Sequence, residues 1–121
     1  TAVLDKETGL VWQKSPSAEK QDWTSAVNYA HSMTVGGRKG WRLPTIEELA
    51  SLVDPTQTKP ALPKGHPFTN VQSAYYWSYT TRTNDADAAK VVDFDNYGMV
   101  DGYVKYNTCY VWCVRGGHSG Q

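Results

Sequence analysis

The ten residues Gly40-Trp41-Arg42-Leu43-Pro44-Thr45-Ile46-Glu47-Glu48-Leu49 constrain this chain more than any other stretch. Pro44 bars helix on its N-terminal side and drives Leu43 to an extended conformation. Thr45 is placed to accept from the first helical N–H groups, and Glu48, three residues on, to reach back to the Thr45 N–H, which makes a capping box. Ile46, Leu49, Leu52 and Val53 recur at helical spacing, so one face is apolar. The spacing predicts a helix from Thr45 to about Val53, closed by Asp54-Pro55.

Elements on either side follow from similar signals. Val3-Leu4 and Leu10-Val11-Trp12 flank the polar turn Asp5–Gly9, so residues 1–14 read as a hairpin. Asp22 is a good N-cap for a first helix with Trp23, Val27, Ala30 and His31 along one stripe, ended by Gly36-Gly37. His31 is expected to be a partly buried packing residue. Residues 55–70 carry Pro55, Pro60, Pro63 and Pro67 with Gly65 and form a long surface loop, a length uncommon in a small domain unless it binds something. Tyr75–Thr81, Ala89–Phe94, Met99–Tyr106 and Tyr110–Arg115 read as antiparallel strands, with Arg82–Asp87 and Asp95–Gly98 as turns and a frayed ending after Arg115. The result is one α+β domain, 1–121: two helices packed on a small twisted antiparallel sheet with long loops, the initial hairpin rejoining the last strand.

Composition excludes several classes. Twelve basic and twelve acidic side chains cancel, against a nucleic-acid partner whose phosphates need neutralising. No apolar run approaches the ~20 residues of a membrane span. The start at Thr1, without Met or signal peptide, reads as an excised domain or processed product. Cys109 and Cys113 on a straight strand lie roughly 13 Å apart, too far for a disulfide. Five Trp and eight Tyr against two Phe supply flat surfaces that each carry a hydrogen-bonding tip. Trp12, Trp23, Trp41 and Trp77 are expected in the core, with Arg42 and Arg115 fixing the scaffold through paired hydrogen bonds.

The candidate recognition face comes from strand parity. Along residues 99–107, Val100, Gly102, Val104 and Tyr106 form a core-like set, while Met99, Asp101, Tyr103, Lys105 and Asn107 face outward. With Cys109, Val111 and Cys113 inside, Tyr110 and Trp112 face out as well, and Asp95, Asn96 and Tyr97 crown the adjacent turn. Aromatic faces stack on the C–H surfaces of sugars, and carboxylates and amides bond their hydroxyls; the same set suits a protein epitope. The run Asp93–Val104 departs from a calcium loop at its fifth and twelfth positions, and Asn84–Asp87 reads as a polar turn, so no metal or other cofactor is expected. No nucleophile–base pair or phosphate loop stands out, and no enzymatic activity is expected.

The series Asp5–Trp12, Trp23 with Ala26, Gly40-Trp41-Arg42-Leu43-Pro44-Thr45 with Glu48-Leu49, Tyr76-Trp77-Ser78, Val92-Asp93-Phe94 and Cys113-Val114-Arg115-Gly116-Gly117 resembles the Lcl C-terminal domain family, the closing domain of a collagen-like adhesin. The resemblance implies a C-type-lectin-like fold, an extracellular or cell-surface location and a homotrimer. It also implies carbohydrate, such as a glycosaminoglycan or another polysaccharide, as ligand. Other members resemble the variable proteins of diversity-generating retroelements, which implies a protein ligand as the alternative. A second alternative is a copper-dependent thiol oxidase, through the likeness of Cys109 and Cys113 to the paired cysteines of formylglycine-generating enzymes. Two departures stand out: many relatives have a cysteine near His31 that can pair with the one matching Cys113, and a basic residue where Trp112 stands.

Overall fold

The computed structural model describes residues 2–116; of the ending expected to be frayed from Gly116 on, Gly116 is paired in a strand with Leu10, and 117–121, like Thr1, lie outside the described residues. Among the described residues the chain order is β1 (Ala2–Leu4), β2 (Leu10–Gln13), α1 (Trp23–Ser32), α2 (Ile46–Ala50), β3 (Tyr75–Arg82), β4 (Asp85–Asp93), β5 (Met99–Val104) and β6 (Val114–Gly116). The fold is α+β, but with two three-stranded antiparallel sheets, β1-β2-β6 and β3-β4-β5, where one was expected. The last strand leaves β5 and pairs with β2, Trp12 opposite Val114, so the initial hairpin does rejoin it.

Both helices start as their caps dictate. The Asp22 carboxylate accepts from the Ser25 N–H at 2.8 Å. The Glu48 N–H donates to Thr45 Oγ1 at 3.2 Å and the Thr45 N–H to Glu48 Oε1 at 2.9 Å, which is the capping box. Arg42 grips the same carboxylate bidentately, at 2.7 and 2.9 Å, and donates to the Gly116 carbonyl. A single arginine thereby ties the cap of α2 to the end of β6. Helix α1 stops at Ser32, and Gly37 at φ +71° closes a separate 3-10 turn, Val35–Gly37. His31 is exposed, not packed: the buried stripe is centred on Ala26 and Ala30, and His31 lies roughly 140° round the helix from Ala26.

The sheet β3-β4-β5 divides two cores. On one face Tyr76, Val92 and Phe94 pack with Ile46 and Leu49 of α2, Leu10 and Trp12 of β2, and Trp112. On the other, Trp77, Ala89 and Val91 pack with Ala26 and Ala30 of α1, Trp41 and Val111. The long loop closes the first core: Ala61 and Leu62 are buried, and the Phe68 ring meets Trp112 edge-on at 4.8 Å. Its apolar residues are therefore structural.

Trp112, expected on the surface, is fully buried. Residues 109–113 do not form an edge strand with one wet face. They run between two partners: Tyr110 bridges Tyr76 of β3, and Cys109 bridges Gln21. Cys113 accepts the Gln13 N–H through its carbonyl, and its own N–H donates to Gln13 Oε1 at 2.6 Å. The Trp112 Nε1–H donates to the Gln13 carbonyl at 2.9 Å. Trp23 makes the opposite exchange: expected in the core, it is only half-buried. Arg115 is corrected too. Its Nε is buried without a partner among the described residues, and its guanidinium lies 5.6 Å from the Trp41 ring centre, a cation–π contact in place of the expected paired hydrogen bonds.

The turn that begins the expected recognition face is held rigidly. Gly98 has φ +72°, and a Cβ there would overlap both methyls of Val53. Gly98→Ala is expected to lower stability by about 2 kcal/mol through backbone strain and overpacking, with part restored when Val53→Ala is added. Urea denaturation of the single and double variants checks this.

Candidate functional site

Paired residues of neighbouring strands share a face. Tyr75 is opposite Asp93, Trp77 opposite Val91, Val91 opposite Asp101, and Ala89 opposite Tyr103. Tyr75, Asp93, Asp101 and Tyr103 therefore stand on the face that carries the α1 core. Toward the free edge the covering thins: Ala89 and Val91 are buried, Asp93 and Tyr103 half-buried, Asp101 exposed. Among the described residues strand β5 pairs only with β4, and the side chain it lends to a core is Tyr103, of the parity expected to face outward. Met99 and Val100 are exposed alike. The expected inward set Val100, Gly102, Val104 and Tyr106 fails for that reason, and Tyr106 is 81% exposed.

Where the covering ends, a cleft of about 280 Å³ opens, lined by Lys20, Ser73, Ala74, Tyr75, Asp93, Asp95, Tyr103 and Thr108 with Cys109 at its base. The Tyr75 and Tyr103 rings meet edge-to-face at 4.9 Å and form an aromatic wall. Asp95 is 3.2 Å from the Lys59 ammonium, and the Lys20 ammonium is 5.6 Å from the Tyr110 ring centre. Burial, followed by the negative charges of Asp101 and Asp93, pushes the Tyr75 phenol up, so it stays a protonated donor and acceptor. A second, larger open cleft of about 700 Å³ is lined by Asp22, Thr24, Asp85, Asp87, Val104, Lys105 and Tyr106.

The predicted site residues divide among these places. Asp95 and Tyr103 line the smaller cleft, and Asp101 and the half-buried Tyr110 stand beside it. Asn96 and Tyr97 are exposed on the turn, with the Asn96 amide donating to Met99 Sδ. Lys105 belongs to the larger cleft, its ammonium 4.1 Å from the Trp23 ring centre and 3.1 Å from Thr81 Oγ1. Asn107 is half-buried in the turn after β5, and Trp112 is outside any surface. Lys20, Ser73, Tyr75, Asp93 and Thr108 were missed. Only the strand parity of Tyr75 and Asp93 could have brought them forward, and only with the β3–β4 register known.

Cys109 and Cys113 are both buried and unpaired. Burial pushes each thiol up to about 12, so neither is a thiolate at neutral pH in the metal-free protein. The β3–β4 turn is only Thr83 and Asn84, the latter at φ +69°; Asp85–Asp87, expected in that turn, already belong to β4, where the Asp85 carboxylate accepts from the Asp87 N–H.

These features define a class: a small α+β domain with two buried cores and open polar-aromatic clefts along one sheet. The chain belongs to the Lcl C-terminal domain family, whose model matches residues 1–115, and the family makes it an adhesin-related module. No curated protein matches the chain. No helix among the described residues is long and apolar enough to cross a membrane.

Proposed function

We propose that the chain is a non-enzymatic adhesion module, displayed on the cell surface, that recognises carbohydrate through the cleft between Tyr75, Tyr103 and Asp95. The observation that carries this reading is the aromatic wall facing a rim of Lys20, Ser73, Asp93, Asp95 and Thr108. Ring faces stack on the C–H surface of a pyranose while the rim bonds its hydroxyls, and the volume, near the lower bound of roughly 300 Å³ for small-molecule sites, suits one sugar unit of a chain. The family match supports the adhesin setting. Tyr103→Ala is expected to weaken binding on a glycan array by at least about tenfold, the scale of an interface hot spot, while the thermal unfolding profile shows the domain still folded. Unchanged binding by a folded variant would sink the reading.

A protein ligand is the second reading. It is favoured by Tyr97, Met99 and Val100, three apolar side chains each about half exposed at the tip of the β4–β5 hairpin. If Tyr97→Ala with Met99→Ser abolishes capture of a protein partner and Tyr103→Ala does not, the tip and not the cleft is the site.

A further inference from the structure

We infer that the cleft reads an acetamido group, so that its saccharide contains an N-acetylhexosamine whose acetyl methyl rests on Ala74 and Cys109. The inference rests on the carbohydrate reading of the same cleft and adds to it the substituent by which the sugar is chosen. Ala74 and Cys109 are small and apolar where the rest of the lining is polar or aromatic. Their backbone groups are already paired. The Cys109 N–H donates to the Gln21 carbonyl at 2.9 Å, and the Cys109 carbonyl accepts from the Gln21 N–H at 2.8 Å. The Ala74 N–H donates to the Gln72 carbonyl and the Ala74 carbonyl accepts from the Phe94 N–H, both at 3.0 Å. A buried, protonated thiol behaves as a small hydrophobe, so Cys109 adds no strong polar group. A sugar hydroxyl set on this floor would give up water without a new partner, whereas a methyl gives up nothing.

The polar groups around the floor are free to bond. Asp93 Oδ1 accepts from the Asp95 N–H at 3.0 Å, which leaves Oδ2 without a partner among the described residues. That oxygen suits the amide N–H in a charge-assisted hydrogen bond. Ser73 and Thr108 are exposed, and their hydroxyls make no hydrogen bond among the described residues. Lys20 lines the cleft with its ammonium 5.6 Å from the Tyr110 ring centre, a loose contact that leaves its N–H groups available to the acetyl carbonyl. The charges offset one another. Asp93, Asp95 and the neighbouring Asp101 stand with Lys20, with Lys59 on Asp95, with Lys105 on the Tyr103 side of β5, and with Arg82 against Gly102. A group that both donates and accepts without net charge, and carries a methyl, matches this lining. Tyr75 and Tyr103 stack on any pyranose and do not discriminate, so selection lies with the acetamido group, whatever the remaining hydroxyls carry.

The test compares saccharides that differ in this substituent alone: chitotetraose against cellotetraose, and N-acetylgalactosamine against galactose. The wild type is expected to bind at least one acetamido member about tenfold or more tightly than its hydroxyl counterpart. Ala74→Val, which fills the seat of the methyl, is expected to cut that ratio at least about fivefold by weakening the acetamido form. Asp93→Asn, which removes the charge met by the amide N–H, is expected to act in the same direction. Asp87→Asn, the same change at the larger cleft, is expected to leave the ratio as it is, and thermal unfolding shows which variants are folded. Equal affinity within both pairs overturns the acetamido inference and leaves the carbohydrate reading standing, as does binding of other saccharides on the array with neither pair bound. A ratio unmoved in folded Ala74→Val or folded Asp93→Asn overturns the role given to that residue. Failure to bind any saccharide, in the pairs and on the array, overturns both readings together.

Discussion

Trp112→Ala is expected to lower the unfolding free energy by about 4 kcal/mol, the range for deleting a large aromatic from a closed core. The indole is fully buried and touches four other rings, with centroids 4.8 Å from Phe68, 5.6 Å from Tyr76, 5.7 Å from Phe94 and 5.9 Å from Trp12. Those partners come from the long loop, β3, the end of β4 and β2, so the vacated volume cannot close by moving one element. The Gln13 carbonyl also loses its donor, Trp112 Nε1, in a buried setting. Against a typical total of about 5–15 kcal/mol the variant sits near the edge of folding, so Trp112→Phe is its companion. Phenylalanine keeps most of the ring contact and is expected to cost about 2 kcal/mol while leaving ligand binding unchanged. Urea denaturation and a binding assay on both variants decide the matter. Loss of binding by a Trp112→Phe protein of wild-type stability would return this residue to the surface.

The same tryptophan shows where legibility stopped. Caps and turns are written in contiguous residues, so Asp22, the Thr45–Glu48 box and the hairpin before Trp12 could be read directly and fall where expected. What covers a strand is not local. Period-two alternation assigns faces only if one face is dry and the other wet, and here both extremes occur. Val111-Trp112-Cys113-Val114 is buried throughout because partners flank it on both sides. A continuous apolar run of that kind is itself the signature of a strand buried on both faces, and that signal was present. Strand β5 is the reverse case, an edge exposed over Met99–Asp101 and only partly covered after it, and nothing in Met99–Val104 announces it. The cleft was half legible for the same reason. Asp95 and Tyr103 line it from one hairpin and Thr108 from just after it, whereas Lys20 and Ser73 arrive from two distant segments.

Glu48→Ala is expected to cost about 2–3 kcal/mol, the larger part through Arg42. The carboxylate holds the Thr45 N–H and both terminal nitrogens of Arg42, so its removal opens the capping box and leaves a partly buried guanidinium with only the Leu43 and Gly116 carbonyls. Arg42 keeps 29% of its side-chain surface in solvent, and this screening holds the cost below that of breaking a fully buried pair. A pH signature separates the charge from the shape. Burial alone would raise the Glu48 carboxyl, but the hydrogen bonds from Arg42 and Thr45 outweigh it and hold the folded-state value below 4.5. A group depressed on folding stabilises fully above its unfolded value and loses that contribution as pH falls through the folded one. Wild-type stability should therefore drop between about pH 5 and pH 3, with Asp22 and Asp54, both also lowered by local hydrogen bonds, adding smaller slopes. Glu48→Gln keeps the size and an acceptor for Thr45 but has no charge to lose, so its curve should be flatter over that range and lower at pH 7. Urea unfolding of both proteins at pH 7 and pH 3 gives the comparison. Equal losses in the two proteins would mean that Glu48 acts as a cap alone and that its charge contributes nothing to the tie between α2 and β6.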